Sequence, residues 1–140
     1  MELASAGMVT MDEVAAMVEA LPEVTVGERY GHRTWSAYGK AVAWHRPFSK
    51  ADIKRFGDET PPDGDILAVT VEDLAEKEAA LAANPDSFFT IPHFNGYAAV
   101  LVHLRVATHE AVQEALLDGG LARVPADVGE AYLREQGLSE

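Results

Sequence analysis

Two β-prone runs with only two residues between them constrain this chain more than any other feature. Residues 33–38 and 41–46 are rich in strand-forming side chains, and Gly39-Lys40 separates them. A two-residue connection that contains glycine is typical of a tight β-hairpin. Pro47 ends the second run, because proline cannot continue a strand ladder. Short connections join antiparallel strands, whereas parallel strands need long crossovers. The chain is therefore predicted to contain an antiparallel sheet.

Helical patterns alternate with further strand patterns along the chain. Thr10 and Glu13 have the spacing of a capping box, and the apolar stripe of an amphipathic helix follows them. Further helices are predicted at 72–83, 108–117 and 125–136, with a short helical turn after Ser49, and Gly119-Gly120 is predicted to end the helix at 108–117. The remaining strands are predicted at 24–30, 66–71, 88–91 and 100–106.

This order of elements predicts an α+β fold with two layers, an antiparallel sheet covered by helices on one face. Neither a repeat nor a linker is evident, so residues 1–140 are interpreted as a single domain. Its core is expected at about 10–117 and its last helix at about 125–136. The residues up to about Val9 are predicted to form a loose leader.

Composition excludes several classes of function. The 140 residues include no cysteine, which rules out disulfides, thiolate metal sites, iron–sulfur clusters and cysteine nucleophiles. The first seven residues lack a signal-peptide pattern, and no apolar run approaches the ~20 residues of a membrane span. We therefore expect a cytoplasmic domain with no membrane partner.

Charge is unevenly distributed. The net charge is −12, yet residues 29–55 carry seven cations and one acid, a net of +6, which leaves −18 elsewhere. The overall balance opposes general binding to phosphate backbones, whereas the basic segment favours it locally.

The segment 88–97, Phe-Phe-Thr-Ile-Pro-His-Phe-Asn-Gly-Tyr, and the strand after it resemble the most recognisable part of the MmcQ/YjbR family. The hairpin at 33–43 is similar to an earlier signature of that family, an aromatic strand, Gly-Lys and a second strand, and the first helix with its Leu-Pro ending is similar too. The resemblance covers roughly residues 11–117. It implies a CyaY-like two-layer fold and DNA as a partner, through a double-wing likeness. No agreed catalytic residues accompany it.

The basic hairpin is the first candidate site, because cations can hold phosphates while aromatic rings stack on bases. The nucleic-acid candidates are Arg33, Trp35, Lys40 and Arg46. The alternative is that the rings belong to the core and that the cations pair with Asp52, Glu28 or Glu59. Convergence of the cations on one patch would favour nucleic acid, whereas scattered and paired cations would favour another ligand. The pI of 4.7 favours the second outcome.

The second candidate is a small-ligand or protein-binding surface on an open sheet face beside the 92–96 turn. Its candidate residues are His93, Tyr97, His103 and Arg105. An enzyme that uses His93 as acid and base is a third possibility, and a closed pocket around this imidazole would favour it. The leading interpretation is a non-enzymatic binding domain.

No metal or cofactor is predicted. The five histidines lack the spacing of a zinc motif, and the chain has no nucleophile elbow and no phosphate-binding glycine loop. The acidic stretch 57–65 is interpreted as turn chemistry. On the helix at 72–83, Asp73 and Lys77 are placed for an i,i+4 ion pair.

Overall fold

The computed structural model describes residues 9–137 as a six-stranded antiparallel sheet with five helices, which confirms the predicted α+β class. The strand order across the sheet is β1-β2-β3-β4-β6-β5. The strands are β1 (Val24–Arg29), β2 (His32–Ala37), β3 (Lys40–His45), β4 (Ile66–Thr70), β5 (Phe88–Phe89) and β6 (Ala99–His103). The helices are α1 (Met11–Glu19), α2 (Lys50–Phe56), α3 (Leu74–Ala83), α4 (His109–Leu121) and α5 (Ala126–Glu135).

Two tight turns connect β1, β2 and β3. Tyr30-Gly31 and Tyr38-Gly39 all have φ between 53° and 80°, the left-handed pairing that two-residue hairpin loops require. The predicted turn at Gly39-Lys40 is therefore wrong by one residue. Glycine occupies the second turn position in both hairpins, so Lys40 already pairs with Ala37 in the ladder.

One face of the sheet, here called the helix-covered face, holds the main core. Side chains from β2, β3, β4 and β6 pack there against α1 and α4, with smaller contributions from α3 and α5. The capping box of Thr10 and Glu13 starts α1 as predicted. Most of the predicted leader lies outside the described residues, but Val9 is buried and its amide donates to the carbonyl of Leu104 at 3.1 Å.

Helix α4 does not end at its two glycines, in contrast to the sequence prediction, but continues through them to Leu121. A Cβ atom on Gly119 would lie 2.5 Å from the carbonyl oxygen of Thr70, and one on Gly120 would lie 2.7 Å from Leu21. The glycines thus let α4 approach both β4 and the end of α1. Tertiary packing here overrides the weak helix propensity of glycine.

The opposite face, here called the cleft face, is covered only in part. A smaller cluster of aromatic and aliphatic side chains from α2, β5 and the 3-10 turn Pro92–Phe94 packs over β4 and β6. Strand β6 ends at His103, so the predicted strand to 106 is too long. The surface over β1, β2 and β3 is left open. Within the described part of the chain, no helix has the length and apolar character needed to cross a membrane.

Candidate functional site: an acid-free aromatic cleft

The open part of the cleft face forms a depression of about 740 Å³ between β1–β3 and the turn at Pro92–Phe94. This volume falls in the range of roughly 300–1,000 Å³ typical of small-molecule sites. The cleft is open to solvent, since Tyr30 at its mouth is 97% exposed and Tyr97 is exposed too. It contains His93, but it is not a closed pocket.

Strand register assembles a row of basic side chains at one end of the cleft. Arg29 and His32 are direct partners across β1 and β2. Thr34 pairs with Trp44 across β2 and β3, and Arg46 follows Trp44 by two residues. Because alternate residues share a face, Arg46 is placed on the same face as Trp44, and Arg29, His32 and Arg46 all line the cleft. We call them the basic row.

The next positions inward are apolar and aromatic. Trp44 is half-buried, and its ring lies 6.3 Å from the rings of both Phe94 and Tyr97, at interplanar angles of 27° and 42°. The Phe94 and Tyr97 rings lie 5.6 Å apart. These three rings, here called the aromatic wall, stand beside the small side chains of Thr34 and Ala41. The arrangement leaves room for a flat group against Trp44.

A buried lysine holds the loop that carries two rings of the aromatic wall, those of Phe94 and Tyr97. Lys77 of α3 is 7% exposed, and its Nζ donates to the carbonyls of Phe94 at 2.7 Å and Tyr97 at 2.8 Å. Burial lowers the pKa of Lys77. The predicted ion pair with Asp73 is not present among residues 9–137. Asp73 instead caps α3 by accepting from the Glu76 amide at 2.9 Å.

Arg46 is the most constrained member of the basic row. Its Nη1 lies 2.9 Å from the Asp52 carboxylate and donates to the Pro47 carbonyl, and its guanidinium lies 5.6 Å from the Phe94 ring centroid. Burial alone would raise the pKa of Asp52, which is 3% exposed. The Ser49 amide and Arg46 outweigh that effect and hold the pKa below its ordinary value. The contacts with Asp52 and the Pro47 carbonyl thus fix the orientation of the Arg46 guanidinium, and Asp52 compensates its charge.

The lining of the cleft contains no aspartate or glutamate, although the chain has 23 such residues. It contains two arginines and two histidines. A protein of net charge −12 therefore presents a local concave surface with donors and no carboxylate in its lining, while the Asp52 carboxylate lies behind Arg46. Such a surface favours an anion over a cation.

The four nucleic-acid candidates do not converge. Arg33 lies on the helix-covered side of β2, with its guanidinium 5.7 Å from the Trp35 ring centroid. Trp35 is fully buried and its Nε1 donates to Glu19 at 2.8 Å, so base stacking would require the core to open. Lys40 is exposed at the hairpin tip, and Arg46 alone lines the cleft. Its pairing with Asp52 matches the scattered-and-paired alternative.

The candidates for the second surface divide into two pairs. His93 and Tyr97 line the cleft. His103 and Arg105 instead contact Asp63 of the acidic 57–65 loop, at 3.2 Å and 3.5 Å. The acidic loop is therefore anchored to the end of the sheet by these two residues.

Sequence reasoning missed Arg29, His32 and Trp44 as members of one site. The signal was the alternation of side chains along the two hairpins, because correct turn positions place these residues on the same face. Assigning the second turn one residue late obscured the pairing of β2 with β3. Phe94 was also missed, because long-range packing over β4 and β6 and the hydrogen bonds from Lys77 bring its loop to the cleft.

Further features of the described residues concern metal-ligating and nucleophilic side chains. Across residues 9–137, no three histidine, aspartate or glutamate side chains are grouped to hold a metal ion. Ser49 lines the cleft, but its hydroxyl accepts from the Asp52 amide as a helix cap at 3.1 Å. No carboxylate in the lining is placed to orient His93.

Comparison with known proteins identifies close relatives in mycobacteria. The uncharacterized protein Rv2570 of Mycobacterium tuberculosis strain H37Rv is 38% identical over 133 residues, which cover 93% of this chain and all of the relative. The uncharacterized protein Mb2600 of Mycobacterium bovis is similar to the same extent. No family model matches the chain.

A solved structure shares the fold. The crystal structure of Deinococcus radiodurans protein DR2400, a DUF419 domain, superposes with a TM-score of 0.61 and 20% sequence identity. The match covers 96% of this chain and 93% of that chain. At this identity the likeness establishes the fold alone.

Proposed function

The chain belongs to the same family as the uncharacterized mycobacterial protein Rv2570, and we propose that it is a small non-enzymatic domain that binds a small organic ligand in the aromatic cleft. The observation that carries this proposal is the acid-free lining, which joins the basic row and the aromatic wall in one depression. Ligand sites typically combine an apolar concave surface with a few convergent polar groups.

The loop that completes the cleft is held in place without a ligand. Its carbonyls accept from buried Lys77, and Phe94 packs into the smaller core cluster. A preformed site binds with less loss of conformational freedom than one that must be ordered first. This supports a binding role for the cleft.

We also propose that the chain is of the MmcQ/YjbR type and acts in the cytoplasm. The tight aromatic hairpin and the Pro92–Phe94 turn carry the resemblance, and the absence of cysteine is suited to a reducing compartment. DNA binding stays a prediction from that resemblance. The separation of Arg33, Lys40 and Arg46 favours the small ligand instead.

The experiment is chemical-shift mapping of the 15N-labelled protein with naphthalene-2-carboxylate. We expect shifts confined to residues 29–34, 41–49 and 93–97. In the variant Ala41→Phe, a phenyl group fills the floor of the cleft, and we expect binding of the probe to be abolished. Ala79→Phe adds the same group to the exposed surface of α3 and should bind like the wild type.

Three results would contradict the proposal. The first is a pattern of shifts that maps elsewhere on the protein, and the second is unchanged binding in Ala41→Phe. Equal losses in Ala41→Phe and Ala79→Phe would point to a general effect of the added ring rather than to occupancy of the cleft, and would also count against it.

A further inference from the structure

We infer that the cleft takes a flat aromatic compound that carries one anionic group, a carboxylate or a phosphate. This inference rests on the proposed function and specifies the class of its ligand. Two kinds of chemistry are laid out in neighbouring rows of the same sheet face, the basic row and the row of Thr34 and Trp44. A ligand that satisfies both rows must have an anion at one end and an aromatic ring at the other.

The basic row provides the anion site. Arg29 and His32 are partners across the outer hairpin. The contacts of Arg46 with Asp52 and the Pro47 carbonyl both use Nη1. Its Nε and Nη2 make no hydrogen bond within residues 9–137, and a guanidinium has five N–H donors in a planar fork. Such a fork matches a carboxylate or a phosphate with two parallel hydrogen bonds.

The aromatic wall provides the ring site. Trp44 is only half-buried although its row continues into the core at Ala68 and Leu101, so part of its indole faces the cleft. Positions two residues apart along a strand are about 7 Å apart. The two rows are therefore close enough for the long arginine side chains to reach an anionic group attached to a ring that stacks on Trp44. Offset stacking on Trp44 and Tyr97 would exclude water from the ring.

The electrostatic setting makes the anion the discriminating group. At long range a protein of net charge −12 repels anions, so affinity must come from direct contacts with the basic row. An aromatic ligand without an anionic group would be stabilised only by stacking and by the burial of its apolar surface. Charge-assisted hydrogen bonds are about twice as strong as neutral ones, and they set the difference between an acid and its amide.

The test compares naphthalene-2-carboxylate with its neutral isostere naphthalene-2-carboxamide by isothermal titration calorimetry at moderate salt. We expect the carboxylate to bind at least about tenfold more tightly. Arg29→Gln should remove most of this advantage and weaken binding of the carboxamide, whose carbonyl can also accept from Arg29, by a smaller factor. Arg33→Gln is the matched control, because it removes an exposed arginine from the same hairpin on the opposite face, and it should change neither affinity more than about twofold.

A further probe, 2-naphthyl phosphate, determines which anion the site prefers, and tight binding of either one supports the inference. Affinities for both anionic probes that are no higher than the affinity for the carboxamide would overturn it and leave the proposed function standing, provided that Ala41→Phe still abolishes binding. Equal weakening in Arg29→Gln and Arg33→Gln would also overturn it, because the effect would then be one of overall charge. Failure of all three probes to bind would overturn the proposed function itself.

Discussion

The sheet face beneath α1 and α4 is filled by mostly aliphatic side chains, whereas the cleft on the opposite face is lined by two arginines, two histidines and five aromatic rings. Both faces belong to the same strands, and successive residues alternate between them. In β2, Trp35 is fully buried on one face, while His32 on the other lines the cleft. The comparison separates the residues that stabilise the fold from those available to a ligand.

The difference extends to how polar groups are used. On the helix-covered face, the Trp35 indole donates to Glu19 at the edge of the core. On the cleft face, Lys77, Arg46 and Asp52 are buried or half-buried, and they position the loop and the basic row. On the helix-covered face the polar groups complete the packing of the core, whereas on the cleft face they orient the residues that line the cleft.

The largest expected effect is on the helix-covered face, at the contact of α4 with β4. Gly119→Ala places a methyl group 2.5 Å from the Thr70 carbonyl, so the helix must move away from the strand. We expect a loss of about 2–3 kcal/mol in the free energy of unfolding, measured by urea denaturation, even though alanine is the better helix former.

Gly129→Ala in α5 is the control for this prediction. A Cβ atom there would meet its neighbours at 3.6–3.7 Å, which is ordinary contact. The substitution should be neutral or stabilise by up to about 1 kcal/mol. If Gly119→Ala were as stable as Gly129→Ala, close packing of α4 would not be the reason for its glycine.

An intermediate effect is expected on the cleft face, at the ion pair of Arg46 with Asp52. Asp52→Asn should lower the free energy of unfolding at pH 7 by about 2 kcal/mol, less than for a fully buried pair because Arg46 can reach water. Ser49→Ala is a useful companion, since it removes the helix cap and keeps the ion pair. Its expected cost is about 1 kcal/mol.

The same pair predicts a pH dependence. The pKa of Asp52 is lower in the folded protein than its ordinary value of 3.8, so the carboxylate stabilises the fold above that pH. This stabilisation decreases as the pH falls through 3.8 and then through the folded pKa. The difference in unfolding free energy between wild type and Asp52→Asn should therefore shrink in acid, as urea titrations at several pH values would reveal. A constant difference would contradict it.

The smallest effect is expected for nucleic acid, and it tests whether the cleft face is the functional one. Fluorescence anisotropy of labelled duplex and single-stranded DNA should show only weak binding at low salt. The triple substitution Arg33→Ala, Lys40→Ala and Arg46→Ala should change it little, because Arg46 lies on the opposite face of the sheet from Arg33 and Lys40. Salt-sensitive binding that the triple variant loses would instead establish the basic hairpin as a nucleic-acid site.

Much of the fold follows from local sequence signals. The capping boxes that start α1 and α2, the antiparallel hairpin and the buried strand β4 all arise from short-range chemistry. The end of α4 does not, because glycine disfavours a helix locally and only the contacts with Thr70 and Leu21 explain its presence. The length of β6 depends likewise on the turn that follows it.

The candidate site was less accessible from sequence than the fold. His93 and Tyr97 were identified from the loop that contains them, but their proximity to Arg46 and Trp44 depends on long-range contacts, the packing of Phe94 over β4 and β6 and the hydrogen bond of Lys77 to the loop. An amphipathic pattern treats Lys77 as a surface residue. The partners of a buried ammonium group cannot be deduced from helical periodicity alone.

The two tight hairpins also predict the order in which the parts of the cleft form during folding. Its floor comes from three strands joined by two-residue turns, whose contacts close short loops at little entropic cost. The ring of Tyr97, 53 positions after Trp44, completes the aromatic wall, and we expect it to take its place only after β4, α3 and β6 have formed. Because the complete site exists only once the late contacts have formed, a bound ligand would act mainly by slowing unfolding rather than by accelerating folding.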